Sequence, residues 1–366
     1  MAVPTDRAVK VVFCWAEASG YMSACWRALD ARPGVDVHIL HPEQLFRAQT
    51  NQFKHELNGL SNEMFDSSSP DILPWLVDAV SRQRPDVIVL CGWIFWPYTR
   101  LLRSPALDGV RAIMGMDSPW RGTWTQRLAR LRLAATLERC HLVVTSGERS
   151  SMYARNLGVP EAQIRTGYYG FDFGRFSRVA ALRTAEAWPR KFLFVGRYVA
   201  QKDLGTLAAA YAKYRTMVDT PWALTCCGLG PDAALIANQP GITDIGFKPP
   251  AELPDVFRSH GAFVMPSQFE PWGVVIAEAA ASGLPLLCTT ACGAALDLVR
   301  PYYSGVTVAP RDIAGLAGAM RWMHEHATEL AQMGARANAA AEAYSAPAWA
   351  ARWHNYLLEA LGGAAS

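Results

Sequence analysis

Pro266-Ser-Gln-Phe-Glu-Pro-Trp-Gly-Val-Val-Ile-Ala-Glu-Ala-Ala-Ala-Ser-Gly-Leu-Pro285 is the stretch whose reading decides the fold. An apolar run, Ala262–Met265, ends at Pro266, and a short polar loop follows. Glu270-Pro271-Trp272-Gly273 then enters a helix through Val274–Ser282, which stops at Gly283 ahead of a second apolar run, Leu284–Cys288. Strand, loop, helix and strand in that order form a parallel α/β unit. The backbone N–H groups of Gly273, Val274 and Val275 point out of the first helical turn, where the dipole favours an anion. Gly273 lets a ligand approach the backbone. Glu278 follows Glu270 by a little over two turns and, set among Ala and Val, needs a polar partner.

The same alternation extends along the whole chain. Val11–Trp15, Val35–Leu40, Val87–Cys91, Val110–Met114 and Leu142–Thr145 read as strands, separated by helical stretches that include Tyr21–Asp30, Leu73–Arg82 and Trp124–Glu138. The pattern restarts with Lys191–Val195, Trp222–Cys227 and Ile242–Gly246 before reaching the quoted segment. Two doubly wound sheets follow, covered on both faces. The polar, Ala-rich Ser177–Trp188 sets the joint between Phe176 and Pro189. The domains are then 1–180 and 185–344, with a closing segment 345–366 whose helix, about Ala348–Leu361, has an apolar face with no partner legible in the sequence.

Composition agrees with a two-domain globular chain. Of 366 residues 51% are hydrophobic and 18% charged, which excludes disorder as the main state. Thirty-five basic against 32 acidic residues argue against wholesale nucleic-acid binding. Eight cysteines without C-x-x-C pairs, and Met1–Lys10 without a charged-then-apolar leader, lead to the expectation of a reduced, cytoplasmic protein. The apolar run Val87–Tyr98 is about half of the ~20 residues needed to cross a bilayer. His324-Glu325-His326 lacks the spacing that places two imidazoles on one helical face, so no metal site is expected.

Two further motifs carry chemistry. In Phe194-Val-Gly-Arg-Tyr-Val-Ala-Gln-Lys-Asp203, a strand delivers Gly196 and Arg197 to a loop, and Lys202 follows five residues later. Two cations thus converge beyond the carboxyl end of a strand, where open α/β sheets bind ligands. Cys227-Gly-Leu-Gly-Pro-Asp-Ala233 offers a rival reading, with Gly228 and Gly230 in a dinucleotide fingerprint and Asp244 as a ribose-binding acid. It falls on the second strand of its series, and Pro231 constrains the loop.

The frame Glu-Pro-Trp-Gly-x-x-x-x-Glu-Ala, from Glu270 to Ala279, resembles the signature of retaining glycosyltransferases of family 4, which have the GT-B fold. The likeness is specific over about Phe192–Met323 and weaker back through Gly170-Phe171-Asp172 to the first strand. It implies two Rossmann-like domains facing a cleft, a nucleotide-diphospho-sugar as donor substrate, and no metal or other cofactor. Arg197 and Lys202 would neutralise the diphosphate, Glu270 would receive donor-sugar hydroxyls, and Glu278 would bind the ribose. Gly196, Gly228, Gly230 and the loop ending at Phe247 would line the donor, with Gly273, Val274 and Val275 as its anion seat.

In the first half the match loosens. Ser19-Gly20-Tyr21 has one glycine where relatives commonly have two, and Met116-Asp117 stands where many carry His-Asp. Gly20 remains a donor-side candidate and Asp117 a catalytic one, with a turn or N-cap role for Asp117 equally open. Trp93, Trp96, Tyr98, Trp120 and Trp124 suit core packing, with an acceptor platform as the lesser reading. Arg121, Arg127, Arg130, Arg132 and Arg139 accompany Leu128, Leu131 and Leu133. Salt-bridged solvent exposure is expected for that face, and peripheral contact with anionic lipid at the inner membrane face is the alternative. The acceptor, whether a glycan, a lipid-linked species or a small molecule, and the oligomeric state stay open. A nucleotide-sugar hydrolase or epimerase, a silent sugar-nucleotide-binding protein and a nicotinamide oxidoreductase are the competing functions.

Overall fold

The structure, a computed structural model, describes residues 7–16, 19–43 and 56–362. Part of the Met1–Lys10 reading therefore lies outside the described residues. The chain divides into two compact units, one of residues 1–171 with 346–366 and one of residues 172–345.

The first unit holds a seven-stranded sheet of β1 (Val9–Cys14), β2 (Val35–Pro42), β3 (Ser61–Phe65), β4 (Val87–Leu90), β5 (Arg111–Met116), β6 (Leu142–Thr145) and β7 (Ile164–Thr166). Its order is β3-β2-β1-β4-β5-β6-β7, with every pairing parallel. Alternate residues feed separate cores on the two faces. Val12, Cys14, Ile88 and Met114 point to one, and Val11, Phe13, Val89 and Ile113 to the other. Burial on both sides is why these strands read as continuous apolar runs.

The second unit holds β8 (Lys191–Val195), β9 (Ala223–Cys227), β10 (Ile242–Asp244), β11 (Ala262–Met265), β12 (Leu286–Thr289) and β13 (Gly305–Val308). The order is β10-β9-β8-β11-β12-β13, again all parallel. Strands β3, β7 and β13 were not expected from the sequence. All three lie at sheet edges, where one side has no strand to pair with, and β3 buries only Phe65 of its five residues.

The joint differs from the expected one. The helix Phe173–Ala180 belongs to the second unit, where Phe176 packs on Phe257 with ring centroids 5.8 Å apart. Arg183 follows and donates to the carbonyls of Ser282, His260 and Phe257 at 2.7, 2.9 and 2.6 Å, so the supposed linker is anchored. The boundary therefore falls at 171/172, before that helix instead of after it. The closing helix, Ala346–Ala360, returns to the first unit and packs on the helix Gly20–Asp30. Its Trp349 and Trp353 are fully buried beside Phe13, and their indole N–H groups donate to Tyr168 and Gly167 carbonyls at 2.9 and 3.1 Å.

Candidate functional site

In the second sheet the strand order reverses between β8 and β11, which makes the carboxyl ends of those two strands the switch point where ligands bind in such folds. The loop after β8 carries Gly196, Arg197 and Lys202; the loop after β11 carries Glu270. Lys202 is only 8% exposed, and its Nζ donates to Glu270 Oε2. The two loops are also tied by backbone, Gln268 N–H to the Gln201 carbonyl at 2.9 Å. A Cβ on Gly196 would stand 3.7 Å from Lys202 Cε, so the exposed Arg197 begins next to the pair. Sequence reasoning placed Lys202 on one part of a ligand and Glu270 on another. The structure joins them as an ion pair at the switch point, close to Gly196, after which Arg197 follows in the same loop.

Glycines let the neighbouring strand ends close on this point. A Cβ at Gly228 would lie 1.9 Å from the Gly196 carbonyl oxygen, and one at Gly230 would lie 2.2 Å from that of Tyr198. The gaps are bridged by hydrogen bonds from Gly196 N–H to the Cys227 carbonyl (3.0 Å), Tyr198 N–H to that of Leu229 (2.8 Å) and Gly228 N–H to that of Gly246 (3.0 Å). The half-buried Phe247 follows directly. Asp244 is occupied in the same brace: its Oδ1 accepts from Tyr198 Oη at 2.7 Å and from Gly246 N–H at 2.9 Å. After Gly230 the chain makes a five-residue 3₁₀ turn, Pro231–Leu235, in place of an α-helix. The dinucleotide reading lacks both its helix and its available acid.

The expected helix spans Val274–Ala281, with Gly273 before it at φ +96° and no side chain capping its mouth. Trp272, 1% exposed, locks the approach by donating Nε1–H to Asp297 Oδ2 at 2.9 Å. Glu270 is held by its own backbone, whose carbonyl accepts from Gly293 N–H at 3.1 Å. Trp272, Tyr198 and Gly293 were missed in the sequence because their roles are contacts between loops far apart in the chain.

Glu278 lies on the helix, partly buried, and burial pushes its carboxyl up to about 7, while nearby Arg175 acts in the opposite sense. A carboxyl whose folded pKa exceeds its unfolded value favours the fold at low pH and loses that contribution as pH rises towards 7. Glu278→Gln is therefore expected to melt with wild type near pH 4 and above it at pH 8, by up to about 3 kcal/mol. Melting curves against pH check this, and parallel curves would refute it.

In the first unit, Asp117 follows β5. Tyr169 Oη donates to Asp117 Oδ2 at 2.9 Å, and Ser150 Oγ donates to its carbonyl at 3.0 Å. Asp117 is not an N-cap: the next helix, Trp124–Leu137, is capped by Thr123. Burial, then Asp117, raises the Tyr169 hydroxyl well above its ordinary range, and the same two causes lift the Cys91 thiol to about 12. Met116 is core. Gly20 starts its helix, and a Cβ there would be 3.4 Å from the Glu56 carboxyl group, an acidic neighbour for an anion seat. Among the aromatics, Tyr98 is fully buried and Trp93 and Trp120 pack on Tyr153, but Trp96 and Trp124 are 57% and 71% exposed.

Solved structures define the class of fold. Anabaena HepE in complex with UDP and glucose aligns with a TM-score of 0.74 at 17% identity, over 96% of this chain and 100% of that one. A glycosyltransferase from Rickettsia africae aligns at 0.76 and 13% identity, over 98% and 100%. The fold is GT-B, an α/β arrangement of two doubly wound sheets.

Within it, residues 183–340 match the family model described as glycosyl transferases group 1. Glycogen synthase of Mycobacterium tuberculosis is 28% identical over 251 residues, 65% of this chain and 60% of that protein. D-rhamnosyltransferase WbpZ of Pseudomonas aeruginosa is 27% identical over 321 residues, 77% and 82% of the two chains. The chain thus spans about 60% of the length of its glycogen synthase relative.

Proposed function

We propose that the protein is a glycosyltransferase that moves a sugar from a nucleotide-diphospho-sugar to an acceptor hydroxyl, with retention of anomeric configuration and without a metal ion. The observation that carries this reading is the buried Lys202–Glu270 pair at the β8/β11 switch point, beside Arg197 and the Gly273 loop. The HepE complex with UDP and glucose supports a nucleotide-sugar as donor, and the named relatives support glycosyl transfer. The cytoplasm, or the inner face of its membrane, is the proposed place of action.

Arg197 and Lys202 take the diphosphate, with the N–H groups of Gly273, Val274 and Val275 offering further donors. Because Lys202 is already neutralised by Glu270, an arriving diphosphate shares the ammonium and frees a Glu270 oxygen for the sugar's hydroxyls. Glu278 receives the ribose, and Gly196, Gly228, Gly230 and Phe247 border the nucleotide. In the transfer the bond from the anomeric carbon to the phosphate oxygen breaks and one to the acceptor oxygen forms on the same face. The acceptor proton passes to the departing phosphate. Cations already in place stabilise the negative charge gathering there, the service a metal supplies elsewhere. Asp117, held by Tyr169, is the proposed first-unit contribution, stabilising the positive charge that develops at the anomeric carbon.

A thermal-shift screen of UDP-, GDP-, ADP- and dTDP-sugars tests the donor. A true donor at a hundred times its Kd adds about 2.7 kcal/mol of stability, and no shift with any of the four would overturn the reading. With the donor known, the product's anomeric configuration by NMR tests retention. Turnover in chelator tests metal independence, which fails if a divalent ion is needed to restore activity.

A further inference from the structure

We propose that the outer face of the helix Trp124–Leu137 docks the first unit onto an anionic lipid surface. Ala129, Leu133, Thr136 and Leu137 form the buried side of this helix. At roughly 100° per residue the opposite side is centred on Trp124, Leu128, Leu131 and Ala135. That side is open, with Trp124 71%, Leu128 55% and Leu131 80% exposed. Arg127 flanks the apolar stripe on one edge and Arg132 on the other, and both are exposed.

The segment from Arg121 to Leu137 contains no Asp or Glu. Among the described residues, no acidic side chain forms an ion pair with Arg127, Arg130 or Arg132. The salt-bridged surface expected from the sequence is therefore not what these three arginines make. Nearby, the loop after β4 exposes Ile94 (72%) and the helix it enters, Trp96–Leu101, exposes Trp96 (57%); the loop adjoins the approach to Trp124–Leu137 because Trp93 and Trp120 both pack on Tyr153.

Charge and shape choose the occupant. A second copy of this face would set arginines against arginines. A nucleic acid would pair the arginines but leave Trp124, Leu128 and Leu131 in water. An anionic lipid surface satisfies both halves: the stripe enters the headgroup boundary, and the flanking guanidinium groups stay at the level of the phosphates. No helix among the described residues is long and apolar enough to cross a membrane, so the contact is one of a helix lying in the plane of the surface.

Co-sedimentation of the full chain with vesicles tests this without donor or acceptor, so its failure is distinct from failure of the transferase reading. Wild type is expected to sediment with phosphatidylcholine–phosphatidylglycerol vesicles, to ignore phosphatidylcholine alone, and to release as salt rises. Arg127→Gln with Arg132→Gln should lower partitioning roughly 25-fold, about fivefold per charge. Trp124→Ser with Leu131→Ser should abolish it. All four side chains are exposed, and unchanged melting temperatures would verify folding. Wild type that stays in the supernatant, variants that partition like wild type, or capture by an oligonucleotide in place of vesicles would each overturn the proposal.

Discussion

Glu270→Gln is expected to reduce transfer by roughly 10²–10³-fold at saturating donor, the scale seen when one preorganised electrostatic group is removed from a site of developing charge. The substitution keeps the side chain's size and its place in the loop, which is set by backbone bonds to Ala291 and Gly293. What it removes is the counter-charge of Lys202 in a position 8% exposed. Breaking a buried pair from one side costs about 3–5 kcal/mol when the remaining charge stays, so the variant should also melt earlier. A double variant, Glu270→Gln with Lys202→Met, separates the two effects. Replacing both members of a buried pair by uncharged groups of similar volume is often neutral for stability. The double variant should therefore recover most of the melting temperature and none of the turnover. Recovery of both by calorimetry and rate assay would show that the pair only holds the fold.

Gly228→Ala should cost the second unit about 3 kcal/mol, at the upper end of overpacking penalties, with donor binding weakened as well. The new methyl would meet a backbone oxygen at 1.9 Å and the Tyr198 ring at 2.8 Å. A flexible side chain could swing aside, but here two strand ends must separate, stretching the Gly196–Cys227 and Tyr198–Leu229 hydrogen bonds. For a unit of this size the melting temperature should fall by roughly 10 °C. Gly205→Ala is the control. Gly205 sits in the helix Leu204–Arg215, and its added methyl would find nothing nearer than 4.0 Å. That change should be neutral or mildly stabilising. Equal melting temperatures for the two variants would mean that the strand ends tolerate separation.

Much of the candidate site at the β8/β11 switch point was legible because its logic is local. Glu270, Gly273 and Glu278 lie on one loop and the helix it opens, and Gly196, Arg197 and Lys202 on another short segment. The alternation of buried strands with helices could be read for the same reason, since a strand covered on both faces is apolar at most of its positions. The edge strands β3, β7 and β13 escaped because an edge has neighbours on one side only, and their residues need not be uniformly apolar.

The linear chain by itself determined two parallel α/β units, the residue types at the switch point of the second, and a closing helix with an apolar face. Tertiary structure alone decided that Lys202 meets Glu270, that Tyr169 holds Asp117, and that the closing helix packs beneath Phe13. Among the described residues it also left Arg127, Arg130 and Arg132 without an acidic partner. These outcomes depend on groups tens to hundreds of positions apart. Periodicity along a chain reports which face of an element is buried, but the partner on that face is chosen only when separate elements are brought into register.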